Sequence, residues 1–380
     1  MLKPRQVTYA AVLVCLPLLG IVLGQDAGKQ TAQPSFSQSV MYQPRESSDP
    51  KAKKQDKNND NNGTAKPAGD TATIKEGPMT IPVSVLDGSS KIVLGLEKTN
   101  FRVFIDAKKA EIASVQIRPG ILNVILLVDT SPSTIYTSKA IQNVATAIVE
   151  ELEELDSVSV IRFESDVKIL TELTDDRDKL RRAIRNIKLG ITGTALYDAV
   201  RYVFEQKTPV IEGRTVLFIL TDGVDTTSKI AGYASSLEIA EKGDATVIPI
   251  FFDTIARNSK DIGRSYNSSV MGGVSGAISS ELLDKSRKEN EKIAADYERG
   301  KMYLNDLVFL SGGRAIPAKS FEDAPKETAG QIIAELRQRY LLTFAPGEPA
   351  PAGQRKRILI RVDRPSLAVL ARGSYIVKPL

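Results

Sequence analysis

From Ile121 onward, almost wholly apolar runs alternate with stretches whose apolar residues recur at helical spacing, and nothing else in the chain narrows the fold so much. Leu122–Val128, Thr215–Leu220 and Thr246–Phe252 have no polar face. Each therefore reads as a strand covered on both sides, the habit of parallel sheets. Between them, Ile141, Val144, Ala145, Ile148 and Leu152 make one helical stripe. Asp178–Lys188 and Leu196–Gln206 carry similar stripes, and Tyr233–Lys242, Met302–Leu310 and Ala324–Arg339 read as further helices. Ser157–Phe163, Val167–Leu173 and Arg314–Ala318 read as strands. Buried strands alternating with helices predict an α/β fold, a doubly wound, mostly parallel sheet with helices on both faces. In such sheets ligands gather at the carboxyl ends of the strands.

The flanks follow a different grammar. Met79–Leu86, Lys91–Leu94, Phe101–Ile105 and Glu111–Ile117 alternate as half-buried strands do, with turn signals such as Asp87-Gly88 between them. They predict a small β module over residues 79–118. About 40 residues would be marginal alone, so the module should pack on later sequence. Tyr340–Ala345, Lys356–Asp363 and Ala368–Val377 are assigned to it as C-terminal strands within residues 340–380. The α/β domain spans residues 119–339, with an insertion at 254–300 that is long for a strand-to-helix connection and holds a Gly/Ser-rich half, Arg264–Gly276, then a charged half, Ser279–Arg299, that reads as helical. Residues 25–78 are rich in Gln, Ser, Asn, Asp, Lys and Pro and read as a disordered polar linker. Residues 1–24 read as a signal peptide: Lys3 and Arg5, the apolar run Tyr9–Leu23, then Gly24 before Gln25. Cleavage there makes the protein secreted or periplasmic. The alternative is a retained membrane anchor, although the run is shorter than the ~20 residues a span prefers.

Composition then restricts the chemistry. The 380 residues contain no histidine and one cysteine, Cys15. His-based triads, His- or Cys-ligated zinc and internal disulfides are all excluded. Any metal must be held by oxygen, which favours Mg²⁺, Ca²⁺ or Mn²⁺. The net charge of +5 is spread out, Trp is absent and aromatics are 6%, so no nucleic-acid partner is expected.

Oxygen donors are present where such a sheet would collect them. Asp129-Thr130-Ser131-Pro132-Ser133 follows the first buried strand, Thr221-Asp222-Gly223 ends the strand Thr215–Leu220, and Gly193-Thr194 precedes a helix. Each piece alone is commonly a cap or a turn. Together Asp129, Ser131, Ser133, Thr194 and Asp222 supply two carboxylates and three hydroxyls, a set suited to a hard cation in octahedral geometry with water completing the shell.

These three pieces, with Gly193-Thr194-Ala195-Leu196-Tyr197-Asp198-Ala199 as the middle one, resemble the metal-ion-dependent adhesion site of von Willebrand factor A domains. The resemblance covers about Asn123 to Ala318. It implies a six-stranded sheet and a surface-exposed Mg²⁺ or Mn²⁺, with Ca²⁺ ranked behind, bound directly by the serines and partly through water by other ligands. The flanking segments Pro82–Val85, Leu94–Glu97, Phe101–Val103, Tyr340–Phe344 and Ala371–Tyr375 are similar to a related group common in acidobacterial genomes, whose biochemical role the resemblance leaves undefined. Asp198 and Asp225 lie near the motif but read as structural caps.

The function expected on this basis is a metal-dependent protein-binding or adhesion module of the bacterial envelope or exterior, without catalytic residues. Its partner would be a protein offering a Glu or Asp carboxylate. A membrane would be involved only if the N-terminal segment is retained. Within the insertion, Lys285, Arg287, Lys288 and Lys292 would steer an acidic surface toward the site. One alternative is a phosphohydrolase-like enzyme with Asp129 as nucleophile; the haloacid-dehalogenase-type phosphatases it would then resemble carry an acid/base Asp two residues on, where this chain has Ser131. Another is an envelope scaffold with no metal-dependent partner.

Overall fold

The computed structural model describes residues 73–254 and 280–378. The expected signal peptide, most of the linker and the Gly/Ser-rich half of the insertion lie outside the described residues. In chain order the elements are β1 (Thr73–Ile74), β2 (Met79–Leu86), β3 (Phe101–Ile105), β4 (Lys108–Ala110), β5 (Ile112–Ile117), β6 (Leu122–Asp129), α1 (Ser138–Glu150), β7 (Ser157–Phe163) and β8 (Val167–Thr174). There follow α2 (Arg177–Arg185), α3 (Leu196–Tyr202), β9 (Arg214–Thr221), α4 (Tyr233–Lys242), β10 (Ala245–Phe251), α5 (Ser280–Ser311), β11 (Ile316–Pro317) and α6 (Pro325–Arg337). The last strands are β12 (Tyr340–Phe344), β13 (Ala350–Pro351), β14 (Arg355–Val362), β15 (Ala368–Leu370) and β16 (Ser374–Ile376).

Six strands form the central sheet in the order β11-β10-β9-β6-β7-β8, parallel except for the β7–β8 pair. This is the doubly wound α/β sheet the apolar runs predicted. The runs are continuous because successive side chains enter different cores. Val124, Leu126 and Val128 of β6 pack with α1, α2 and α6, whereas Ile125 and Leu127 pack with α3, α4 and α5. In β9, Val216, Phe218 and Leu220 face the first core, and Leu217 and Ile219 the second. Each such side chain, withdrawn fully from water, contributes roughly 1.5–3 kcal/mol before the entropy of ordering is charged against it.

Two antiparallel sheets, β15-β2-β12-β5 and β16-β14-β3-β4, enclose a third core that includes Ile81, Val83, Val103, Tyr340 and Leu342. Arg339, just before β12, is fully buried and links this module to the central sheet. It donates to Ser84 Oγ at 2.9 Å, to Thr246 Oγ1 at 2.7 Å and to the Gly312 carbonyl. Glu241 on α4 does similar work, binding Arg355 Nε and Ser374 Oγ.

Several local expectations are corrected. Lys91–Leu94 makes only an isolated bridge, Leu86 to Ile92, not a strand. Ala368–Val377 divides into β15 and β16, which join different sheets, because Gly373 packs against the Phe309 ring between them. Ordered backbone begins ahead of Met79: β1 pairs with β13, and Glu76 accepts from Lys356 Nζ and Tyr375 OH. The helices expected over 279–299 and 302–310 are one helix, α5, that runs through Gly300.

Candidate metal centre

β6 and β9 are in-register neighbours, with Val128 opposite Leu220. Asp129 and Asp222 therefore leave the same edge of the sheet from adjacent strands. Thr221 Oγ1 donates to Asp129 Oδ2 at 2.6 Å, and the Ser131 N–H donates to Asp129 Oδ1 at 2.9 Å. The tight turn after β6 brings Ser131 Oγ and Ser133 Oγ within 3.1 Å of each other, and Thr134 closes that turn on the Ser131 carbonyl. The Ser133 hydroxyl also hydrogen-bonds to the Asp222 carboxylate. Asp222 Oδ2 lies 2.8 Å from Thr254 Oγ1 and 3.2 Å from Tyr297 OH, and these two hydroxyls also contact each other, so their two protons are shared among three contacts.

Thr194 reaches the group through its loop. The Gly190 N–H donates to the Thr130 carbonyl at 2.7 Å, and the Ala195 N–H to the Glu164 carbonyl at 2.6 Å. The Thr194 carbonyl accepts from the N–H groups of Thr226 and Thr227, while its own N–H donates to Thr226 Oγ1. The loop is thus tied both to the segment after Asp129 and to the segment after Asp222. Among the described residues no hydrogen bond joins Thr194 to either carboxylate. Asp198 accepts from the N–H groups of Lys229 and Ala231, and Asp225 from that of Tyr197 and from Ser228 Oγ, so both hold backbone.

The electrostatics are unusual for a strand-end turn. Asp129 is 1% and Asp222 0% exposed. Burial pushes the Asp129 carboxyl up to about 7, with the neighbouring Asp222 charge adding to the rise. Burial likewise raises Asp222, against the lowering effect of its hydroxyl donors. Neither carboxylate is ion-paired with a Lys or Arg among the described residues. Among those residues, too, no three His, Cys, Asp or Glu side chains are grouped to hold a metal, so donors beyond this pair would come from hydroxyls.

Two features of the surroundings bear on the expectations. The surface exposure implied by resemblance is absent at the carboxylates: Ser131 and Thr194 are also buried, and Ser133 alone of the five is partly exposed. Asp222 is covered in part by α5, whose Tyr297 lies on it. Lys285, Arg287, Lys288 and Lys292 are exposed on the first half of that helix, with Arg287 ion-paired to Glu291 at 3.7 Å. At 1.5 Å per residue, Lys292 stands about 7.5 Å and Lys285 about 18 Å from Tyr297 along the axis. Sequence reasoning missed Thr221, Thr254 and Tyr297. Thr221 was detectable as the hydroxyl beside Asp222, but no local spacing marks the other two.

The von Willebrand factor type A domain family model matches residues 124–224. No curated protein matches the chain. Among solved structures, the conserved hypothetical protein BatB from Bacteroides thetaiotaomicron is 17% identical with a TM-score of 0.37, over 57% of this chain and 98% of that one. A von Willebrand factor type A protein from Catenulispora acidiphila is 11% identical with a TM-score of 0.37, over 82% and 75%. Proximal thread matrix protein 1 from the mussel byssus, with a zinc-occupied MIDAS motif, is 13% identical with a TM-score of 0.40, over 62% and 50%. The match to the von Willebrand factor type A domain family thus falls on residues 124–224, which contribute β6 to β9 of the doubly wound sheet.

Proposed function

We propose that Asp129, Ser131, Ser133, Thr194 and Asp222 hold one divalent cation, Mg²⁺ or Mn²⁺, and that the domain binds a Glu or Asp of a protein partner there. The observation that carries this reading is the carboxylate pair. Two buried acids at adjacent strand ends, each pushed above its ordinary range and neither paired with a base, are unfavourable unless something positive neutralises them. The surrounding donors are all oxygen, as Mg²⁺ and Mn²⁺ prefer. When bound, such a cation neutralises the pair and offers an open coordination position to an anionic oxygen.

The chain's own residues hold the ligands in place. Thr221 and the Ser131 N–H fix the Asp129 carboxylate, and Thr254 and Tyr297 fix that of Asp222. Supports of this kind orient ligating carboxylates and set their affinity. Ser133, the partly exposed member, marks the side from which a partner approaches. No nucleophilic role is assigned to Asp129, since Ser131 stands two residues on, where the phosphatases it would then resemble carry an acid/base Asp. The module is therefore read as a binder and not an enzyme, exported to the envelope or exterior on the strength of its N-terminal sequence. No helix among the described residues is long and apolar enough to cross a membrane.

Capture from native envelope extract, with and without EDTA, tests the reading. A protein should be retained by the parent in Mg²⁺ and lost both in EDTA and with Asp222→Asn. Retention that ignores EDTA and the substitution would defeat it.

A further inference from the structure

The β module meets the central sheet where β9 and β10 begin, at the opposite edge from Asp129 and Asp222. Along β9, Thr215 and Asp222 stand about 23 Å apart at 3.3 Å per residue. A half-enclosed cavity of about 180 Å³ lies at this junction. Its lining includes Thr80 of β2, Arg214, Thr215, Asp244 and Thr246 at the strand starts, and Arg372 between β15 and β16.

The arginines here are held by neutral oxygens alone. Arg214 Nη1 donates to the carbonyls of Leu336 at 3.0 Å and Arg337 at 3.1 Å, and its Nη2 to that of Arg118 at 3.0 Å. Arg372 Nε donates to the Ser374 carbonyl at 3.1 Å, and its Nη2 to the Glu241 carbonyl at 2.6 Å. Arg339 stands behind Thr246 and donates to its hydroxyl. None of the three is in an ion pair among the described residues, and Arg214 Nε and Arg372 Nη1 have no partner there. Burial pulls the Arg214 guanidinium below its ordinary range, and the Arg337 charge adds to the fall. Burial lowers Arg372 as well, opposed by the charges of Asp244 and Glu241. Glu241 is already bonded to Arg355, and Asp244 faces water. Within the lining, one exposed carboxylate therefore stands against two guanidinium groups.

Thr215 gives a second, independent sign. It is only 4% exposed, yet its hydroxyl has no hydrogen-bond partner among the described residues. A buried hydroxyl in that state is unfavourable unless something in the cavity bonds to it. Water would satisfy the hydroxyl but would leave the positive charge unbalanced.

We propose that this cavity binds one small tetrahedral oxyanion, of phosphate or sulfate type, between Arg214, Thr215 and Arg372. Such an ion presents a separate oxygen to each of three donors, which a planar carboxylate with two oxygens does not. Arg372 belongs to the β module, and Arg214 and Thr215 to the central sheet, so the ion joins the two. The site is independent of the carboxylate pair at the far edge.

Calorimetric titration of the full chain with inorganic phosphate, sulfate and acetate, in EDTA at constant ionic strength, tests this. The parent should take up one phosphate or sulfate per chain with a Kd below about 1 mM, and should melt higher as the site fills. Acetate should bind about tenfold more weakly. Thr215→Val removes a hydroxyl that has no protein partner, so without the ion it should melt as the parent does or higher. Its phosphate affinity should nevertheless fall about tenfold, as should that of Arg372→Lys, which keeps the charge but loses the fork. Asp244→Asn should tighten binding about threefold by removing the like charge. A folded parent that takes up neither phosphate nor sulfate at about 10 mM overturns the site and leaves the cavity to water. Uptake that Thr215→Val and Asp244→Asn leave unchanged means an adventitious ion only, held elsewhere, and overturns it equally. Acetate binding as tightly as phosphate overturns the tetrahedral class.

Discussion

Gly300 lies against Gly223 so closely that a β-carbon on Gly300 would fall 2.4 Å from the Gly223 carbonyl oxygen. α5 crosses the Asp222 turn at this point, and Gly223 itself adopts a left-handed φ of 81°. Three residues earlier on the same helical face is Tyr297, which the crossing delivers onto Asp222. Gly300→Ala would ordinarily favour a helix by about 1 kcal/mol. Here the clash should prevail, destabilising the fold by about 1–3 kcal/mol and weakening cation binding as Tyr297 is displaced. Urea denaturation and a Mn²⁺ titration check both effects, and a variant as stable as the parent would contradict the packing.

Tyr297→Phe keeps the ring and removes the hydroxyl. Asp222 retains Thr254, so the stability loss should stay near 1 kcal/mol, while cation affinity should fall by about tenfold through poorer orientation of the carboxylate. Calorimetry on the variant decides it; unchanged affinity would make Tyr297 mere packing.

The Asp129 carboxyl, pushed up to about 7 from its ordinary 3.8, fixes the sign of a pH effect. Between those values the folded state holds a proton that the unfolded state releases. This group's contribution therefore favours folding at low pH and is lost as pH rises through 7. In EDTA the parent should lose melting temperature from pH 5 to 8 relative to Asp129→Asn, which should melt higher than the parent at pH 8. Mg²⁺ competes with the proton, so its stabilisation should be small at pH 5 and grow through pH 7. A Mg²⁺ shift equal at both ends would refute this.

Arg339→Met removes the buried guanidinium and strands Ser84 Oγ, Thr246 Oγ1 and the Gly312 carbonyl. The loss should be on the order of 3 kcal/mol, read as a lower denaturation midpoint. A change under about 0.5 kcal/mol, the range of ordinary surface substitutions, would mean that the module docks without it.

The central sheet was legible because strands covered on both faces must be apolar at every position, as β6 and β9 are. The Asp129 and Asp222 segments were legible because parallel strands end at one edge. The cover over the site was not. Tyr297 reaches Asp222 across 75 residues by the packing of α5, and Thr254 across 32 from just beyond β10, the parallel neighbour of β9. The expected helices stopped on either side of Gly300, whose missing side chain is what permits the helix to cross Gly223. The placing of Tyr297 on Asp222 follows from that crossing and so was equally hidden. The paired arrangement of β1 was missed for a simpler reason, since two residues carry no periodicity.

The central claim is that the Asp129–Asp222 pair holds one divalent cation. Calorimetric titration of Mn²⁺ and Mg²⁺ into the parent, Asp129→Asn and Asp222→Asn tests it most directly, with circular dichroism confirming that all three are folded. The account predicts a single site in the parent, saturating at one ion per chain, and its loss in each variant. A folded parent that takes up no ion, or variants that bind as the parent does, would contradict it.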